Sequence, residues 1–194
     1  MRNLKTVFVI AAVAAASVSC GDVVRQGKSP VFLIIDSMLA SAGGTDPKFA
    51  LPLLSDVMTK GSIFNDLGQA TIRAVPKDIT NPVAPTSNEA VTLTRYRVVF
   101  TRSDGHNVPG VDVPLAFDGA VTASIFPNSS STAVVFDLVR HTAKLEAPLA
   151  DLRQNLKILY TLANVTFYGR DQVGNEISVT GTIQVDFADF ADPS

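Results

Sequence analysis

The chain has 194 residues, 46% of them hydrophobic and 18% charged, which is enough for one good core and too little for several large domains. With 16 Lys and Arg against 18 Asp and Glu the formal net charge is -2, and no basic excess suits a phosphate backbone, so nucleic acid is not an expected partner. One cysteine excludes an intrachain disulfide and a multi-cysteine metal site, and two histidines leave little for a site built on imidazole.

In chain order, Arg2 and Lys5 precede an apolar run from Val7 to Ala16, and small residues then lead to Ser19-Cys20. This is the pattern of a secretory signal peptide over residues 1–19. The run is roughly half the ~20 residues that a membrane-crossing helix needs. Cys20, the lone cysteine, stands where cleavage would make it the first residue. Ser17-Val18-Ser19-Cys20 resembles the lipobox of bacterial lipoproteins, with Ser17 where that family usually has Leu. The resemblance implies a diacylglycerol on the Cys20 thiol, cleavage before it and acylation of the new amino terminus. With Gly21 next and no Asp, it also implies the outer membrane of a two-membrane envelope. Ordinary cleavage after Ala16 or Ser19 is the alternative, and it would leave a free thiol in an oxidising compartment. Loss of residues 1–19 removes two basic residues and no acids, so 14 basic against 18 acidic residues give the mature chain a charge of -4. Residues 20–29 have neither helical nor strand period and read as a tether.

From Pro30 to Ser194, Pro and Gly punctuate runs rich in Val, Ile, Thr and Phe, as in a β protein. Val31 to Ile35 is expected as a strand buried on both faces or shared between sheets. Phe49 to Met58 reads as a helical turn or a strand pair. Ala70 to Val75 is a strand candidate, and the segment 76–88, with Pro76, Pro82 and Pro85, is a linker or a long sandwich loop. Val91 to Thr101 changes its apolar phase, since Val91 and Leu93 are odd whereas Tyr96, Val98 and Phe100 are even. A bulge near Thr94-Arg95 would reconcile them. Val121 to Phe126 and Thr132 to Val139 are further strands, with a turn at Asn128 to Ser131 between them. Leu149, Leu152, Leu156 and Leu159 are spaced for a short amphipathic helix within 147–159. Ala163 to Tyr168 and Ile177 to Phe187 alternate with period two and pair as a hairpin, burying Ile177, Val179, Ile183, Val185 and Phe187.

Seven or more short strands make the expected fold an all-β antiparallel sandwich, and the last hairpin resembles that of bacterial immunoglobulin-like and fibronectin-like domains. Such sandwiches are defined by architecture, so the resemblance brings no site with it. Asp104, Asp112 and Asp118 are candidate oxygen ligands for a cation, as are Asp171, Asn175 and Glu176, although Asp, Asn and Gly are also what turns use. His106 and His141 could each titrate or act as a base, but a surface or hydrogen-bonding role is the favoured reading of each. Neither a Gly-x-Ser-x-Gly elbow nor a His-Glu-x-x-His helix occurs. Arg95, Arg97 and Arg102 could meet an anionic partner or line a solvated sheet face. With no Trp and three Tyr the chain is poorly equipped with sugar platforms, and its 11 Phe read as core.

The expected function is a lipid-anchored cell-envelope protein with a binding, adaptor or structural role, held by its N-terminal lipid and meeting an envelope protein partner. No cofactor is implied. Two alternatives are a hydrolase or metal-dependent enzyme with a loop site around Asp104 to Asp118, and a subunit of an envelope secretion or surface assembly.

Overall fold

A computed structural model describes residues 27–44, 46–78, 87–127 and 130–190. The signal segment, Cys20, most of the tether, the middle of segment 76–88 and Asn128-Ser129 lie outside the described residues. Among the described residues eight strands follow one another: β1 (Val31–Ser41), β2 (Leu53–Asp56), β3 (Asp66–Pro76), β4 (Val91–Thr101), β5 (Phe117–Ile125), β6 (Thr132–Val139), β7 (Leu159–Asp171) and β8 (Glu176–Ala188). They form a three-stranded sheet, β1-β3-β6, and a five-stranded sheet, β2-β8-β7-β4-β5. One core running from Val31 to Phe187 fills the space between them.

The connectivity is that of an immunoglobulin-type sandwich. β3 and β6 form the B-E pair of one sheet, while β4, β7 and β8 form the C-F-G trio of the other with β5 added beside β4. Every strand pair is antiparallel except β2 with β8, where Leu53 to Asp56 run parallel to Val185 to Ala188. The sandwich is therefore antiparallel with one parallel edge. That edge strand has only four residues, too few for alternation to betray it in the sequence. Segment 76–88 joins β3 in one sheet to β4 in the other.

Alternation sets which side chains fill the core. On β7, Ala163, Val165 and Phe167 point inward between exposed or half-buried neighbours; on β8 Ile183, Val185 and Phe187 are buried, with the alternation lost at the end of the strand, where Asp186 and Ala188 are buried too. On β4 the pairing register shifts between Leu93 and Arg95, so Thr94 is the extra residue that lets Val91 and Leu93 share a face with Tyr96, Val98 and Phe100. Gly169 lies opposite that bulge, and a Cβ there would come 2.5 Å from the Thr92 carbonyl oxygen. Gly169→Ala is expected to cost about 1–3 kcal/mol, because the obstacle is backbone that cannot swing aside. A urea midpoint unchanged by the substitution would contradict this packing.

Two expectations need correction. Val31 to Ile35 is not buried on both faces, because β1 is an edge strand whose outer side is uncovered: Val31 and Leu33 face the core, while Phe32 is 56% exposed and Ile34 36%. No α-helix forms within 147–159. Its place is taken by a 3-10 turn at Ala150–Gln154, preceded by another at Ala143–Leu145. Leu149 and Leu152 are buried, Leu159 opens β7, and Leu156 between them is fully exposed. The spacing of three, four and three is thus shared among a turn, a loop and a strand.

The registers define two ends of the sandwich. Val31 pairs with Pro76, Val91 with both Ile125 and Asp171, and Thr132 with Ile72, so the chain enters at Gly27 on the same end as the β5–β6 connection and the β7–β8 turn. The opposite end carries the segments 42–65, 102–116 and 140–158. β7, with 13 residues at ~3.3 Å each, spans roughly 40 Å between the two.

Candidate functional site

An open cleft of about 540 Å³ lies at the end opposite Gly27, between the β4–β5 and β6–β7 connections. Arg102, Asp104, Asp112, Asp151, Lys157 and Tyr160 supply its polar lining, and Val111, Leu152, Ile158 and Leu159 its apolar part.

Local hydrogen bonding shapes both walls. In the β4–β5 connection, Asn107 grips Arg102 by both backbone groups, its Oδ1 accepting from the Arg102 N–H at 2.6 Å and its Nδ2 donating to the Arg102 carbonyl at 3.3 Å. The Arg102 guanidinium meets Asp104 twice, Nε at 3.1 Å and Nη2 as an ion pair. This contact holds the Asp104 carboxyl below its ordinary 3.8. Gly105 supplies the positive φ (84°) at which the turn reverses. Asp112 Oδ2 accepts from the Val108 N–H at 3.0 Å, closing a second small turn.

The other wall is pinned from beneath. Lys144 is 1% exposed, and its Nζ donates to Asp66 Oδ1 at 2.9 Å and to the Asp56 carbonyl at 2.8 Å. Asp66, also 1% exposed, accepts from the Gly43 N–H at 2.9 Å and from the Ser55 hydroxyl at 2.5 Å. Burial pushes the Asp66 carboxyl up from its ordinary value, while Lys144 and Ser55 pull it back. The buried pair fastens the 140–158 connection to β2 and β3, and Arg153 Nη2 donates to the Lys144 carbonyl at 2.5 Å to hold the second 3-10 turn in place. Above that anchor Leu156, Ile158 (47% exposed) and Tyr160 (60% exposed) stand out from the surface. Tyr160 lies level with Asp186 and Leu54 across β7, β8 and β2, at the edge of the outer face of the five-stranded sheet.

The proposed cation ligands are not gathered into one site. Asp104 and Asp112 line the same cleft, but each is engaged by its own turn. Asp118 lies on β5, held between Arg95 Nη1 at 2.7 Å and Arg97 Nη1 at 2.6 Å. Asp171 closes the β7–β8 turn by accepting from the Asn175 N–H at 2.8 Å, and Glu176 pairs with Arg170 at 2.9 Å. Among the described residues no group of three His, Cys, Asp or Glu is placed to hold a metal ion. Arg95 and Arg97 are committed to Asp118, and the Arg95 guanidinium also stacks 4.0 Å from the Tyr168 ring centroid.

His106 Nδ1 lies 3.5 Å from Asp104 on the exposed turn. His141 Nδ1 is 2.9 Å from Asn65 Oδ1, and the His141 backbone N–H donates to the same oxygen at 2.7 Å, so this ring joins two loops. Sequence reasoning missed Tyr160 and Ile158. Their signal was present in Ile158-Leu159-Tyr160, where apolar residues occupy the outward as well as the inward phase of a strand entrance.

The sequence matches no family model and no curated protein.

Proposed function

We propose that the protein is a lipid-anchored cell-envelope binding protein, tethered through Cys20, that presents the cleft around Tyr160 to a partner in the envelope. The observation that carries the reading is the placement of the cleft and its apolar rim at the end opposite Gly27, where the segment from Cys20 enters. A surface tethered at one end and apolar at the other suits recognition. Exposed Ile158 and Tyr160 line the cleft together with charged Arg102, Asp104 and Lys157, the mixture of apolar anchor and polar rim found in protein interfaces.

Two measurements test the two halves of the proposal. Metabolic labelling with palmitate is expected to mark the native chain and not Cys20→Ala; label that persists in the variant overturns the anchor. Crosslinked capture from envelopes is expected to recover a partner with the native chain and to lose it with Ile158→Asp/Tyr160→Ala. Equal recovery by both removes the cleft as the binding surface.

A further inference from the structure

We propose that the Gly27 end of the sandwich rests on the phospholipid surface, with Phe32, Phe126 and Val173 entering the headgroup region. The inference rests on the lipid-anchor reading above and adds an orientation to it. Six residues separate Cys20 from Gly27, so even fully extended the seven Cα–Cα steps reach only about 25 Å from an acylated cysteine. That end is therefore held close to the bilayer, while the far end begins roughly 40 Å further out.

What the near end exposes suits such a neighbour. Phe32 is 56% exposed on the outer side of β1, Phe126 50% exposed just after β5, and Val173 70% exposed at the β7–β8 turn. These three come from separate elements that the strand registers bring to one end. Lys77 Nζ lies 4.9 Å over the Phe32 ring and donates to the Gly27 carbonyl at 3.1 Å. It ties Gly27 against Phe32 and places an ammonium at the edge of an apolar patch, as at a lipid interface where rings lie among acyl chains and cations among phosphates. Tethering supplies a high local concentration of lipid, so three modest contacts suffice to hold the orientation.

The chain has one cysteine and no tryptophan, which makes a direct test available. The chain from Cys20 to Ser194 is coupled through its thiol to maleimide-headgroup lipid in phosphatidylethanolamine–phosphatidylglycerol vesicles, with or without brominated acyl chains. Phe32→Trp and Leu156→Trp are compared, both at exposed positions that leave the core intact. Phe32→Trp emission is expected to shift to the blue and to fall about twofold with brominated lipid, as for a ring at the headgroup–acyl boundary. Leu156→Trp is expected to respond to neither. Emission from Phe32→Trp that ignores brominated lipid, or stronger quenching of Leu156→Trp, overturns the proposal. Because the thiol coupling supplies the anchor, the result is independent of biological acylation, which the palmitate label reads separately.

Discussion

Lys144→Ala is expected to lower the unfolding free energy by about 3–5 kcal/mol, the range for breaking a buried ion pair on one side. The loss does not measure the attraction between Lys144 and Asp66. Removal of the ammonium leaves a carboxylate that is 1% exposed, with the Gly43 N–H and the Ser55 hydroxyl as its remaining donors. It also strips the Asp56 carbonyl of a donor and empties the space beneath the second 3-10 turn. The partner experiment is Lys144→Met/Asp66→Asn, which keeps an amide oxygen to accept from Gly43 and an amide NH2 to donate to the Ser55 hydroxyl while removing both charges. That variant is expected to recover most of the loss, since a buried pair replaced by neutral groups of similar volume is often close to neutral in stability. Urea unfolding of both variants decides the matter; a single substitution costing under about 1 kcal/mol would mean that water reaches the pair.

Phe167→Ala is expected to cost a similar amount, about 3–5 kcal/mol, for a different reason. Phe167 is wholly buried at the middle of β7, with its ring centroid 5.2 Å from Phe136 and 6.3 Å from Tyr96. Phe136 belongs to the three-stranded sheet and the other two rings to the five-stranded one, so the cluster is where the sheets grip each other. Truncation removes the transfer energy of one ring and leaves a cavity walled by two others, which β backbones cannot collapse to fill. Leu156→Ala, at a fully exposed position, is the matched control and is expected within ±0.5 kcal/mol of the native chain. Phe136→Ala combined with Phe167→Ala should cost less than the sum of the two, because the second truncation enlarges a hole already made.

Strand periodicity carried most of the architecture into the sequence. Thr132 to Val139 matches β6 residue for residue, and the phase change between Leu93 and Tyr96 located the β4 bulge, because period two makes one extra residue visible as an exchange of faces. The β7–β8 turn is shorter than the segment 169–176 suggested, since Gly169 to Asp171 continue β7 and Glu176 begins β8. Four evenly spaced leucines misled for a physical reason: a strand entrance and a 3-10 turn in succession can reproduce helical spacing without a helix.

The far-end chemistry was less legible. Ser55, Asp66 and Lys144 lie 11 and 78 residues apart in the chain and meet only because β2, β3 and the 140–158 connection converge. A lone lysine between Ala143 and Leu145 looks the same whether it is buried or solvated. The carboxylates singled out in the sequence serve their own turns and arginines, as Asp and Asn beside glycine commonly do. The aromatic rim of the cleft was legible only as excess apolarity at Ile158 and Tyr160.

The parallel pairing of β2 with β8 bears on the order of folding. Leu53 waits for Val185, a separation of 132 residues, before the edge of the five-stranded sheet can form. By contrast β7 and β8 meet across a four-residue turn and can pair early. A nascent chain therefore holds β2 without its strand partner until β8 is available. Loop-closure entropy makes that final zippering slow relative to hairpin formation. Truncation before Glu176 would leave both β2 and one side of β7 as open strand edges, turning a folding intermediate into a permanent, association-prone state.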